Sequence, residues 1–178
     1  MNIYWITVRK IGDLCSTTTI ALADGLSKEG HSLTMLGPES SNKPSQKSWK
    51  HIELSQSSIR GLKATSIAKA AVIWFRQNRH IDVDAVILDW QVASKLAPVL
   101  KSFGYPMILM DRSPPADASF LARLQWREWS KAWKLVTNKI LLRGCVVSDH
   151  HSAFVRKRFN VPAPHVHVLP AGVDLQLF

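Results

Sequence analysis

Three carboxylates stand where short apolar runs give way to polar loops: Asp89 in Asp89-Trp90-Gln91, Asp111 in Asp111-Arg112-Ser113, and Asp149 in Ser148-Asp149-His150. The preceding runs are aliphatic and β-branched, so each carboxylate falls at or just after the end of a strand. A fourth such place is Arg9 to Asp13, a polar loop containing Gly12. In an open sheet of parallel strands these four ends share one edge, the edge at which such sheets hold ligands. Carboxylates gathered there suit a polyhydroxylated ligand, because each accepts two or more hydroxyl hydrogen bonds. Arg112 adds a planar cation that fits a phosphate. Each residue also has a structural alternative. Asp149 or Ser148 serves as a helix N-cap, Asp89 as a capped helix start with Trp90 packed behind it, and Asp111 as an acceptor within its Pro-Pro loop.

Other chemistries lack their spacing. No G-x-G-x-x-G follows the first strand, and no Walker A, H-E-x-x-H or G-x-S-x-G sequence occurs. Asp82-Val-Asp84 precedes a buried strand rather than ending one, which reads as a solvated helix-to-strand loop. His150 and His151 are adjacent, so on a helix they point about 100° apart and cannot face one metal. No metal site is expected.

The elements that must position these ends alternate along the chain. Strands are predicted at Asn2 to Val8, Ser32 to Leu36, His51 to Leu54, Ala85 to Asp89, Pro106 to Met110, Cys145 to Val147 and His165 to Leu169. Helices are predicted after Ser16, over Ser57 to Asn78, Gln91 to Phe103, Ala116 to Lys139 and Asp149 to Phe159. The stretch from Pro38 to Trp49 is rich in Ser, Asn, Lys and Pro and reads as an exposed loop. Alternation of this kind predicts one α/β domain, a doubly wound and mostly parallel sheet with helices on both faces.

Composition bounds the partners. The 178 residues hold 46% apolar and 20% charged side chains, which excludes a disordered or fibrous chain. Cys15 and Cys145 are unclustered and build neither a disulfide framework nor a zinc site, so a reducing, cytoplasmic setting is expected. No apolar run reaches the roughly 20 residues that span a bilayer, and no signal peptide is read. The net charge is +10, which asks for an anionic partner.

Half of that charge lies in one segment. On a wheel of about 100° per residue, Arg123, Arg127, Lys131 and Lys134 fall within roughly 80°, while Trp126, Trp129 and Trp133 join Leu121, Leu124, Ala132, Leu135 and Val136 on a broad apolar arc. With Lys139 and Arg143 added and Glu128 subtracted, the segment carries +5. One reading is a membrane-surface helix, cations on anionic headgroups and indoles at the boundary. The other is a sheet-packing helix with its indoles buried and a solvated basic face. Nucleic acid is disfavoured, since no recognised binding module accompanies the charge.

The tail is the most specific feature. Val146-Val-Ser-Asp-His-His-Ser-Ala-Phe154 continues through Phe159-Asn-Val-Pro162 into a strand and turn with Pro170, Gly172, Val173, Asp174 and Phe178. This resembles the close of the N-terminal domain in group-1, family-4-like glycosyltransferases of the GT-B fold, with Ala171 where that family usually has Asn. The element order agrees, and His80-Ile-Asp-Val-Asp-Ala-Val-Ile-Leu is similar to the family's approach to its fourth strand. The chain departs at Ile11-Gly12-Asp13, where the family has paired glycines, and at Asp111-Arg112, where it often has histidine.

The resemblance implies a two-domain retaining enzyme whose N-terminal half holds the acceptor. Residues 1–178 would be that single Rossmann-like half, inactive alone. The absent C-terminal half would bind a nucleotide-diphospho-sugar and carry paired glutamates. Gly12 and Asp13 would lie near the donor phosphates, and Asp111 would act catalytically by orienting or activating the acceptor hydroxyl. Asp89, Trp90, Arg112, Ser113 and His150 would bind the acceptor, while Pro170, Gly172 and Asp174 would form the interdomain turn. No cofactor is expected in this half. The basic helix suggests a lipid-linked or membrane-proximal acceptor and a peripheral place on the inner membrane face. The competing readings are a non-enzymatic α/β partner domain and the acceptor subunit of a split transferase.

Overall fold

The computed structural model describes residues 1–13, 16–40, 48–59, 61–116 and 119–170. Among them, seven strands form one sheet: β1 (Asn2–Ile6), β2 (Ser32–Pro38), β3 (Lys50–Leu54), β4 (Ala85–Asp89), β5 (Met107–Asp111), β6 (Arg143–Val146) and β7 (Val166–Val168). Their order is β3-β2-β1-β4-β5-β6-β7 and every pairing is parallel. The helices are α1 (Thr17–Lys28), α2 (Lys63–Gln77), α3 (Trp90–Ser102), α4 (Phe120–Thr137) and α5 (Asp149–Phe159). The fold is the doubly wound, Rossmann-like α/β class.

Side chains alternate across a strand, and the sheet uses both faces. Ile3 and Trp5 of β1, Leu33 and Met35 of β2, and Ala85 and Ile87 of β4 form one core with Ala23 of α1. The alternate residues Ile6, Leu36, Val86 and Leu88 join a second, larger core with α2, α3, α4 and α5. All five residues of β4 are buried. A central strand covered on both faces has no polar side to alternate with, which explains its unbroken apolar run. The domain thus carries its own two-sided core.

Several element ends differ from the sequence expectation. The predicted start of α2 at Ser57 moves to Lys63, where Ser66 Oγ accepts from the Ser57 amide and holds the preceding loop. Helix α4 starts at Phe120 rather than Ala116, because Ser119 accepts from the Ala122 amide as N-cap. Ser148 rather than Asp149 caps α5, accepting from the His151 amide at 3.2 Å. The two cores meet the strand ends at one edge, where β1 and β4 send their helices to opposite faces. That divergence is the switch point at which open sheets form a crevice.

Candidate functional site

The floor of the switch point is a buried carboxylate. Asp89 ends β4 and occupies the N-cap position of α3, yet its side chain caps nothing. It turns across to β1, where it accepts from Trp5 Nε1 at 3.0 Å and from Thr7 Oγ1 at 2.6 Å. Burial pushes its pKa up, against the Thr7 and Trp5 hydrogen bonds and the charges of Arg9 and Arg112. Trp90 is also buried, and its indole donates to the Ser113 carbonyl at 3.1 Å. The expectation that Asp89 and Trp90 bind acceptor is therefore corrected. Their polar atoms are committed to pinning β4 to β1 and to the loop after β5.

Above this floor runs the loop after β1. Gly12 has φ 98°, a left-handed conformation that favours glycine. Its amide donates to Ser16 Oγ at 3.1 Å, and Ser16 Oγ donates in turn to the Asp13 carbonyl at 2.6 Å. Ser16 holds the N-cap position of α1, but its side chain closes this loop and caps no helix amide. Asp13 is exposed. Arg112 donates from Nη1 to Thr19 Oγ1 of α1 at 2.6 Å, tying the loop after β5 to α1 across the crevice. Ser113 and His150 are exposed at the same edge. The structure thus brings Gly12, Asp13 and Arg112 around the switch point, with His150 farther out on α5.

The end of β5 is closed. Asp111 has no exposed surface. Its Oδ2 accepts from Trp129 Nε1 at 2.6 Å and Trp133 Nε1 at 2.7 Å, and His151 Nε2 lies 3.1 Å away. Trp129 and Trp133 are four residues apart, so α4 presents both indoles to one side. Trp133 fits because Gly144 of β6 has no Cβ; one there would lie 2.4 Å from the Trp133 ring. Two assignments are corrected here. Asp111 reaches no open space from which to act on an acceptor, and Trp129 and Trp133 belong to the core rather than to a membrane boundary.

The end of β1 to β3 is open. Lys10 follows β1, Glu39 follows β2, and Glu53 to Gln56 close β3; together they line a cleft of about 330 Å³. Glu53 stands opposite Gly37 in the β2–β3 register, and the Thr7 side chain packs against Gly37, 3.1 Å from where its Cβ would be. Sequence reasoning missed this cleft because it read Pro38 to Trp49 only as an exposed loop and considered four strand ends, not those of β2 and β3. The rule that ligands sit beyond carboxyl ends applies equally to β2 and β3 and would have found it. Among the described residues no group of three or more His, Cys, Asp or Glu could hold a metal ion.

A family model, Glycosyltransferase Family 4, matches residues 15–177. The chain belongs to Glycosyltransferase Family 4. A search of curated protein sequences finds no match. Solved structures similar in fold include WaaG, a glycosyltransferase involved in lipopolysaccharide biosynthesis, with TM-score 0.70 and 12% identity over 98% of this chain and 46% of that one. A glycosyltransferase from Rickettsia africae ESF-5 gives TM-score 0.64 and 14% identity over 97% and 43%. Phytolacca americana UGT2, complexed with UDP-2fluoro-glucose and pterostilbene, gives 0.67 and 12% over 97% and 52%. The chain spans about half the length of these structures.

In this Family 4 domain α4 keeps its basic face outward. Arg123, Arg127, Lys131 and Lys134 are exposed, and Leu124, expected on the buried arc, lies among them at 46% exposure. Trp126 is half-buried, edge-on to Trp129, with the Arg158 guanidinium 5.6 Å from its ring. Glu128 interrupts the cations and anchors the helix, accepting from Ser94 Oγ at 2.5 Å and pairing with Lys95 at 3.2 Å and Lys131 at 2.7 Å. Burial works against its charge, but the Lys131 and Ser94 hydrogen bonds and Lys95 outweigh that and hold its pKa at about 2. No helix among the described residues is long and apolar enough to cross a membrane. Pro170 is exposed after β7; Gly172 and Asp174 lie outside the described residues.

Proposed function

We propose that this chain is the acceptor-binding half of a retaining glycosyltransferase, which transfers a sugar from a nucleotide-diphospho-sugar to an acceptor hydroxyl. The carrying observation is the switch-point edge, where a glycine loop fixed by Ser16 lies beside Arg112 at the meeting of β1 and β4. A donor held by a second domain would approach that edge with its phosphates toward the Gly12–Asp13 loop and the Arg112 guanidinium. The acceptor would enter along the same edge, past Ser113 and His150. The partner implied is a donor-binding half, consistent with a chain that covers about half of its structural neighbours.

The acceptor in this reading is lipid-linked or membrane-proximal. Four exposed cations on one face of α4 suit anionic headgroups, with roughly 1 kcal/mol from each near a charged surface. Leu124 and the exposed part of Trp126 supply the apolar contact, in place of Trp129 and Trp133.

The test is a panel of nucleotide-diphospho-sugars given to the native polypeptide with phosphatidylglycerol vesicles carrying a lipid extract of its source cells. The expected outcome is transfer into the lipid fraction with retained anomeric configuration. Changing Arg127, Lys131 and Lys134 together to Glu should weaken vesicle binding by about a hundredfold or more. Absence of transfer from every donor overturns the enzymatic reading, inversion overturns the retaining one, and unchanged vesicle binding overturns the membrane-surface one.

A further inference from the structure

We infer that the open cleft at the ends of β1, β2 and β3 binds a sugar moiety of the acceptor that carries no anionic group, a neutral or amino hexose. The inference rests on the glycosyltransferase reading and names the chemistry of its acceptor. Three observations carry it. The cleft lies at the carboxyl ends of three neighbouring parallel strands, and its volume of about 330 Å³ exceeds that of a single sugar ring. Its charged lining, Lys10, Glu39 and Glu53, has no side-chain hydrogen bond or ion pair among the described residues. Its formal charge is −1, two carboxylates against one ammonium, on a chain whose total is +10.

Each feature narrows the ligand. Two carboxylates accept from vicinal hydroxyls, and such charge-assisted bonds are about twice as strong as neutral ones. The Lys10 ammonium donates to a ring or hydroxyl oxygen, and Gln56 and Ser55 supply both roles. A phosphate or carboxylate on the ligand would stand against Glu39 and Glu53, and such an unpaired like charge is how a site rejects a competitor. Anionic groups are left to Arg112 and the α4 face, outside this cleft.

Saturation-transfer NMR on this chain tests the site with methyl α-D-glucopyranoside, D-glucosamine and glucose 6-phosphate as probes. Both non-anionic probes should receive saturation at millimolar concentration, with glucose 6-phosphate weaker by about tenfold. The double variant E39Q/E53Q should lose the signal. Equal or tighter binding of glucose 6-phosphate, an unchanged signal in the double variant, or no signal from any probe overturns the assignment. Kinetics on the native polypeptide separate acceptor from donor: E53Q should raise KM for the acceptor and leave KM for the nucleotide-sugar alone. A raised donor KM instead would assign the cleft to the transferred sugar and overturn the acceptor assignment. Sugar binding without transfer from any donor would sink the glycosyltransferase reading while leaving the cleft. Transfer with an unaltered acceptor KM would do the reverse.

Discussion

The carboxyl ends of β5 and β3 lie on one sheet edge, β5 inside the sheet and β3 at its margin, and the molecule treats them oppositely. At β5 the carboxylate of Asp111 is fully buried and gathers two indole N–H groups and His151. At β3 the carboxylate of Glu53 opens on a cleft and has no partner among the described residues. The difference comes from the elements packed beside each strand end. After β5 the chain returns as α4, whose Trp129 and Trp133 face the strand end with N–H donors that need an acceptor once buried. β3 is the outer strand of the sheet, with a strand neighbour on one side only, so fewer elements reach its end. A strand-end carboxylate is a binding group only where no neighbouring element carries a buried donor to claim it.

The largest expected effect lies on the closed side. Asp111→Ala removes the shared acceptor of Trp129 and Trp133 and leaves two buried N–H groups unpaired, each worth about 1–3 kcal/mol. Urea denaturation should show a loss of about 3–5 kcal/mol. Asp111→Asn keeps a carbonyl oxygen for the indoles and should lose markedly less. Equal, small losses in both variants would show that the carboxylate does not hold α4, and the contrast between the two strand ends would fail.

A smaller effect probes the same lock from the neighbouring strand, β6. A Cβ at Gly144 would come within 2.4 Å and 2.5 Å of two Trp133 ring carbons, and the ring is fixed at its nitrogen by Asp111. Gly144→Ala should destabilise by about 2 kcal/mol, as overpacking of a filled core does. In an Asp111→Asn background, where the indole is held less firmly, the two losses should sum to less than their separate values. Simple additivity would place the strain elsewhere.

The fold was legible in the sequence because its signals are local. The unbroken run of β4 marks a strand covered on both faces, Ser148 marks the start of α5, and the order of runs and helices gives the doubly wound class. The side-chain assignments at the edge were less legible because their partners are remote. Asp111 finds its donors 18 and 22 residues later, and Asp89 finds Trp5 84 residues earlier. The spacing of Trp129 and Trp133 did carry a signal: two indoles one helical turn apart share a face and, when buried, share a need for an acceptor. The cleft was hidden for a different reason. Lys10 and Glu39 come from the loops after β1 and β2 and Glu53 from β3 itself, and they are adjacent only because β1, β2 and β3 are consecutive in the sheet.

The smallest expected effect completes the comparison, because on the open side the absence of a cost is itself informative. Glu39 and Glu53 are exposed and make no hydrogen bond or ion pair with described residues, so Glu39→Gln and Glu53→Gln remove no internal contact. Each should change stability by less than about 0.5 kcal/mol, the range of surface substitutions away from special features. The two should add within that range, and because the double variant takes two negative charges from a chain of net +10 and leaves Lys10 without counter-charge, it should be slightly destabilised at low ionic strength and unchanged at high salt. A loss approaching that of Asp111→Ala would mean that these carboxylates also hold the fold together. Near-neutral stability together with a lost sugar signal is the pairing that separates a group retained for a ligand from one retained for the core.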